Sequence, residues 1–186
     1  MDSALRQAVA SHLAEAWGET VEVRSTRPVS GGSIHSAFEV ELSGVGRVFV
    51  KANRQAPAEM FEREAEGLAA LGEVALLRVP RHPLPGAAGG MSFLILEWIE
   101  SGTPGAGFLE TFGRDLARLH RSSAEAGRHG GRFGYSRDGW IGATRQPNAW
   151  SEDWVEFWRQ HRLGFQLQLA REGGRSDREL ESLGAR

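Results

Sequence analysis

"RVFVKAN", residues 47–53, is the stretch that decides the fold. Val48, Val50 and Ala52 alternate with Phe49 and Lys51, which predicts a strand with one apolar face and a lysine on the other. A lysine on such a strand is ordinarily a solvated charge, so its neighbours have to give it meaning. Upstream, "VEVRSTRPV" (21–29) and "AFEVEL" (37–42) carry the β-branched and aromatic alternation of strands, and "SGVG" (43–46) is a turn. The lysine therefore lies on the third strand of an antiparallel meander. The first two strands are joined through "PVSGGSI" (28–34). Its Gly31-Gly32 pair fits a plain hairpin turn, and the same dipeptide recurs at 89–90, 130–131 and 173–174.

Downstream, "PAEMFEREAEGLAALG" (57–72) predicts a helix, with Pro57 near its start and Gly72 after its end. Met60, Leu68 and Leu71 share a broad face with Glu64. Glu66 lies about 200° further round and points roughly opposite. Only one of the two carboxylates can serve a lysine, and Glu64 is the one selected. "MSFLILEWIE" (91–100) reads as a strand buried on both faces, and "SGTPGAG" (101–107) as a linker. A glycine turn, a strand lysine, a helix glutamate, a buried strand and a linker, in that order, match the amino-terminal lobe of a protein-kinase-like fold. In that arrangement Gly31, Gly32 and Ser33 cover ATP phosphates, Lys51 contacts them and Glu64 orients Lys51. The backbone of Glu97, Trp98 and Ile99 holds adenine, with Leu96 facing the back of the pocket.

The expected organisation is α+β. Residues 1–100 form an antiparallel-sheet ATP-binding lobe, 101–107 a hinge linker and 108–186 an incomplete helical lobe. Residues 3–17 predict an amphipathic helix on which Leu5, Val9, Leu13 and Trp17 recur four apart, stopped by Gly18. "LLRVPRHPLP" (76–85) is extended and Pro-broken, 108–123 is helical and 124–149 is a long loop. Ser151 is placed to cap a helix carrying Trp150, Trp154, Phe157, Trp158 and His161, an aromatic stripe expected in the core. A short helix over 163–172 and a capping box at 176–179 complete the chain.

The 186 residues are 40% hydrophobic and 25% charged, with a net charge of -2 and no Lys/Arg block. Neither nucleic acid nor an anionic membrane is implied as a partner. No cysteine is present, which removes disulfides and thiolate metal sites and makes a reducing cytoplasm the default. The N-terminus has no uninterrupted apolar run, and the six scattered histidines suggest no metal cluster.

"FGYSRDGWIGATRQPNAWSEDWVEFWRQHRLGFQLQLA" (133–170) resembles the fructosamine kinase (ketosamine-3-kinase) family. So do "PVSGGSI", "MFEREAEGLAAL" (60–71), "SFLILEWI" and the "LARLHR" segment ending at Arg121. The resemblance covers essentially the whole chain. It implies ATP- and Mg²⁺-dependent phosphorylation of a sugar hydroxyl of a ketosamine, a repair of glycated amines, with nucleotide and ketosamine as partners and no implied oligomeric state. Asp138, Trp140, Gln146 and Asn148 then fall on the substrate side. Gly139-Trp140, Arg145, Ser33 and His35 depart from residues frequent in the family. The resemblance also implies a catalytic loop of the form HGDLWxGN followed by a metal-binding Asp. None of His12, His35, His82, His120, His129 and His161 has Asp two residues on, and the only asparagines are Asn53 and Asn148. The expectation is a chain cut off before that loop, with no catalytic or metal-binding residue of its own. A nucleotide-binding remnant without turnover and a small-molecule kinase of aminoglycoside or choline type are the alternative readings.

Overall fold

The computed structural model describes residues 1–44, 46–125, 130–175 and 177–184. The chain divides into two compact units, Met1–Leu119 and His120–Arg186, with the division inside a helix. The first unit opens with α1 (Ser3–Trp17), then β1 (Val23–Val29), β2 (Ser36–Leu42), β3 (Gly46–Asn53), α2 (Ala58–Val74), β4 (Leu84–Ala88) and β5 (Met91–Glu97). All strand pairs are antiparallel, in the order β1-β2-β3-β5-β4. The meander is as the alternation predicts, and the α+β, kinase-like reading holds.

The strand period of two assigns each face. Val48, Val50 and Ala52 of β3, Val40 and Leu42 of β2, and Phe93 and Ile95 of β5 form one core with Leu5, Val9 and Leu13 of α1. Leu94 and Leu96 of β5 point the other way, into a second core with Phe61 and Ala65 of α2, against which Phe49 and Leu68 pack. β5 is thus covered on both faces, as its apolar run over 93–96 requires. Its pairing ends at Glu97, so residues 98–100 continue without a strand partner.

Several local expectations shift. Asp2 caps α1 through a hydrogen bond from the Leu5 backbone N–H at 2.8 Å, and Gly18, at φ 72, closes it. Trp17 does not stay on the buried stripe but is 41% exposed. Spacing of four drifts about 40° per step on a helix, so the fourth member leaves the face. α2 runs past Gly72 and stops at Ala75, at φ 53. Its buried side chains are Met60, Phe61 and Ala65, while Leu71 is exposed.

The segment expected to be merely extended, 76–85, runs into β4, which starts at Leu84 and carries Pro85 and Gly86. An edge strand tolerates a proline because its outer side needs no ladder donor. Gly89-Gly90, at φ 59 and 74, turns the chain into β5. Gly86 is required by close approach. A Cβ there would lie 2.5 Å from the Phe93 ring and 3.0 Å from His12 Nε2. Phe93 is buried and His12 Nε2 donates to the Pro85 carbonyl at 2.7 Å, so neither can withdraw. Gly86→Ala is expected to destabilise the first unit by about 1–3 kcal/mol, the usual cost of overpacking. Thermal unfolding would read it, and an unchanged midpoint would contradict this packing.

α3 (Phe108–Glu125) follows the expected linker. In the second unit, part of the expected long loop forms a hairpin of β6 (Gly139–Ile141) and β7 (Thr144–Gln146). Phe133 pairs with Ser151 in an isolated bridge. Ser151 is therefore not the helix cap. Asp153 is, accepting from the Glu156 backbone N–H at 2.7 Å. The expected pair of helices is a single run: α4 (Trp154–Trp158), a π-helical stretch Arg159–Gly164 and α5 (Phe165–Glu172). Of the aromatic stripe only Phe157 is buried; Trp154 and Trp158 are 51% and 48% exposed. α6 (Arg178–Gly184) starts at Asp177, whose carboxylate accepts from the backbone N–H groups of Glu179 and Leu180. Ser176 of the expected capping box and His129 lie outside the described residues.

Candidate functional site

The site of the first unit is built on the face of β3 that carries Lys51. β3 register sets Lys51 opposite Ala37 on β2 and Leu94 on β5. It therefore stands near the closed end of the β1–β2 connection. α2 packs on this same face through Phe61 and Ala65, and Glu64 sits between those two in sequence, at the edge of the buried ridge. Lys51 Nζ donates to Glu64 Oε1 at 2.6 Å, with both side chains about 30% exposed. Glu66 turns away and takes Arg63 at 2.5 Å. The choice between the two glutamates follows the helical angle.

Between β1 and β2 the chain runs through residues 30–35, longer than a two-residue hairpin turn. Gly31 adopts φ 118, open to glycine alone, and Gly32 and Ser33 are exposed. Asn53, a polar strand end by sequence, holds the loop. Its Nδ2 donates to the Ile34 carbonyl at 3.0 Å and to His35 Nδ1 at 3.2 Å, and its Oδ1 accepts from the Gln55 N–H at 2.7 Å. His35 packs on Phe61 with ring centroids 4.9 Å apart, which ties the loop to α2. The strand period places Asn53 on the face of Lys51, two residues beyond it, but not its partners in the loop. Partial burial and the nearby Lys51 ammonium push the His35 imidazole below its ordinary pKa, with Glu64 opposing them.

Leu96 is buried beside α2, at the back of this face. Glu97 points elsewhere. Its carboxylate accepts from Arg78 Nη2 at 2.7 Å and from Arg81 through Nη2 at 3.0 Å and the backbone N–H at 3.0 Å. These donors, Arg81 first, bring its pKa down to about 2. The ionised form is favoured by folding, so its contribution is complete above the ordinary value of 4.5 and drains as pH falls through about 2. The stability gap between wild type and Glu97→Gln is expected to shrink across that window in acid-unfolding curves; a constant gap would contradict the pairing.

In the second unit, the hairpin brings together the four residues expected on the substrate side. Gln146 pairs with Gly139, next to Trp140, and Asp138 and Asn148 flank the hairpin. Asp138 Oδ1 accepts from the Asn148 backbone N–H at 3.0 Å, and Asn148 Nδ2 donates to the Arg137 carbonyl at 3.1 Å. Arg162 Nη2 donates to Asn148 Oδ1 at 2.7 Å, which anchors the hairpin to the π-helical stretch. Arg145 lies 5.8 Å from the Trp140 ring centroid and 3.5 Å from Asp138. Asp138 and Asn148 thus act first on the shape of the hairpin.

Among the described residues, no group of three or more His, Asp or Glu converges as a metal-ligand set. Among the same residues no helix is long and apolar enough to cross a membrane.

Comparison with known proteins bears on this arrangement. A family model described as "Fructosamine kinase" matches residues 5–186. A Synechocystis protein named "Probable ketoamine kinase" is 38% identical over 165 residues, covering 89% of this chain and 54% of its own. The Arabidopsis thaliana "Protein-ribulosamine 3-kinase, chloroplastic" is 39% identical over 156 residues, covering 83% and 46%. Among solved structures, a "Putative fructosamine-3-kinase" from Haemophilus somnus superposes with a TM-score of 0.83 at 27% identity, covering 96% of this chain and 59% of that one. The chain spans about half the length of the curated relatives it matches. With the family model matching nearly end to end, the chain belongs to the fructosamine kinase family.

Proposed function

We propose that this chain supplies the nucleotide-binding machinery of an ATP-dependent kinase acting on a sugar hydroxyl of a ketosamine, a fructosamine or ribulosamine. The observation that carries the reading is the Lys51–Glu64 pair at 2.6 Å, beside the glycine loop. An ammonium has three donors, and Glu64 occupies one of them. The others are free to meet the α- and β-phosphates of ATP. The backbone amides of Gly31, Gly32 and Ser33 cover those phosphates, and the peptide groups of Glu97 to Ile99 take the adenine edge. The relatives' names support the acceptor class, and the hairpin of Asp138, Trp140, Gln146 and Asn148 shapes the acceptor side.

Mg²⁺ accompanies ATP in phosphoryl transfer and neutralises phosphate charge. The 186 residues carry no His-x-Asp pair. Nucleotide binding is therefore the first readout and phosphoryl transfer the second.

Titration calorimetry of the chain with Mg-ATP is expected to give saturable binding. ADP release is then measured with a ketosamine acceptor, with choline and an aminoglycoside as competing acceptors. Absence of ATP binding would sink the reading. Turnover with choline or the aminoglycoside alone would reassign the acceptor.

A further inference from the structure

The face of the sheet that carries Lys51 also holds a charged array reaching residues 98–100, the hinge segment that leads from β5 into the linker. Glu39 of β2 is buried, 7% exposed, and paired across the sheet with Phe49. Its carboxylate accepts from Arg47 Nη1 at 2.9 Å, and from Arg27 Nε and Nη2 at 2.9 and 2.5 Å. Those donors, Arg47 first, keep it well within the ionised range. Arg47 does more than neutralise Glu39. Its second terminal nitrogen, Nη2, donates to Glu100. Its guanidinium carbon also lies 5.3 Å from the centroid of the Trp98 ring, which sits 6.4 Å from Phe49. The Trp98 indole N–H is buried with no acceptor among the described residues, so its ring is fixed by this stack and not by a hydrogen bond.

One planar group therefore holds a buried carboxylate of β2, an indole and a carboxylate of the hinge. Strand pairing stops at Glu97, and Arg47 takes over where the ladder ends. A guanidinium can do this because its donors lie in a rigid fork while its face remains free to stack; an ammonium has neither property. We propose that Arg47 is a positioning residue for nucleotide recognition. It latches residues 98–100 to β3, so that the hinge peptide groups keep one geometry toward the adenine edge. This rests on the reading that ATP binds between the hinge and Lys51.

The latch acts at the adenine end and Lys51 at the phosphate end, so two probes separate them. Binding of Mg-ATP and of Mg-tripolyphosphate, which lacks adenine, is measured calorimetrically on wild type, Arg47→Ala, Arg47→Lys and Glu100→Gln. Arg47→Ala and Arg47→Lys are each expected to weaken ATP binding about tenfold, the scale of one charge-assisted contact, and to leave tripolyphosphate unchanged. Glu100→Gln removes only the hinge ion pair, spares Glu39 and shifts ATP in the same direction by less. Should Arg47→Ala fail to fold, Glu100→Gln carries the test by itself. Unchanged ATP affinity in the folded variants overturns the proposal. Equal weakening of both probes also overturns it, since Arg47 would then only hold the sheet together. If wild type binds neither probe, the functional reading falls and takes the latch with it; binding in wild type with an insensitive Arg47 removes the latch alone.

Discussion

Lys51→Ala is expected to weaken Mg-ATP binding by about ten- to a hundredfold, the loss of one or two hydrogen bonds from a charged donor. Nothing else among the residues placed on this face can replace it. Arg27 is committed to Glu39, Arg47 to Glu39, Glu100 and Trp98, and Arg63 is held by Glu66 and Glu59 on α2. The variant also strands the Glu64 carboxylate beside the phosphates, where it repels them. Glu64→Gln should cost less, because it frees Lys51 without removing the charge. The double variant Lys51→Ala with Glu64→Gln should bind better than the sum of the two losses predicts, since the stranded carboxylate is gone. Calorimetry on the four proteins checks this. Wild-type affinity in Lys51→Ala would remove the phosphate role from Lys51. Strict additivity would show that the pair does not act as a unit.

Phe61→Ala is expected to cost about 3–5 kcal/mol of stability, the range for emptying a fully buried aromatic site. Phe61 is 0% exposed and packs with Ala65 against Leu94 and Leu96. It also contacts His35 of the glycine loop. The same side chain therefore seats α2 on the sheet, sets the height of Glu64 over Lys51 and steadies the loop. Phe61→Leu should recover much of the stability, because it refills most of the cavity, but not the ring contact with His35. Denaturant titration reads the first effect and ATP affinity the second. A loss below about 1 kcal/mol in Phe61→Ala would show that α2 is not anchored through this residue.

The elements that were legible share one property: their signal is local. The alternation in 47–53 assigned Val50 to one core and Lys51 to the opposite face. The helical angle chose Glu64 over Glu66, and the Lys51–Glu64 pair needed only those two periodicities. The nearly all-apolar run of 91–100 pointed to a strand covered on both faces. Spacing by fours on α1 was legible for Leu5, Val9 and Leu13 and misleading for Trp17, where accumulated drift turned the side chain outward.

The rest depended on partners distant in sequence. β4 contains Pro85 and Gly86, residues that argue against a strand until the neighbouring β5 and the edge position are known. β6 and β7 are three residues each, too short to show an alternation. Ser151 has the chemistry of a cap, but its pairing with Phe133 left Asp153 to fill that role. Glu39 and Arg47 read as ordinary charges of exposed strand faces, and Asn53 as a polar strand end. The sequence by itself determined the meander of β1 to β3 followed by α2 and β5, the facing of β3, the glutamate that meets Lys51 and the family. Only the tertiary structure decided that Asn53 holds the glycine loop and that Arg47 joins Glu39 to the hinge. These are contacts between segments up to 53 residues apart, created when strands register and helices dock, and no periodicity along the chain encodes them.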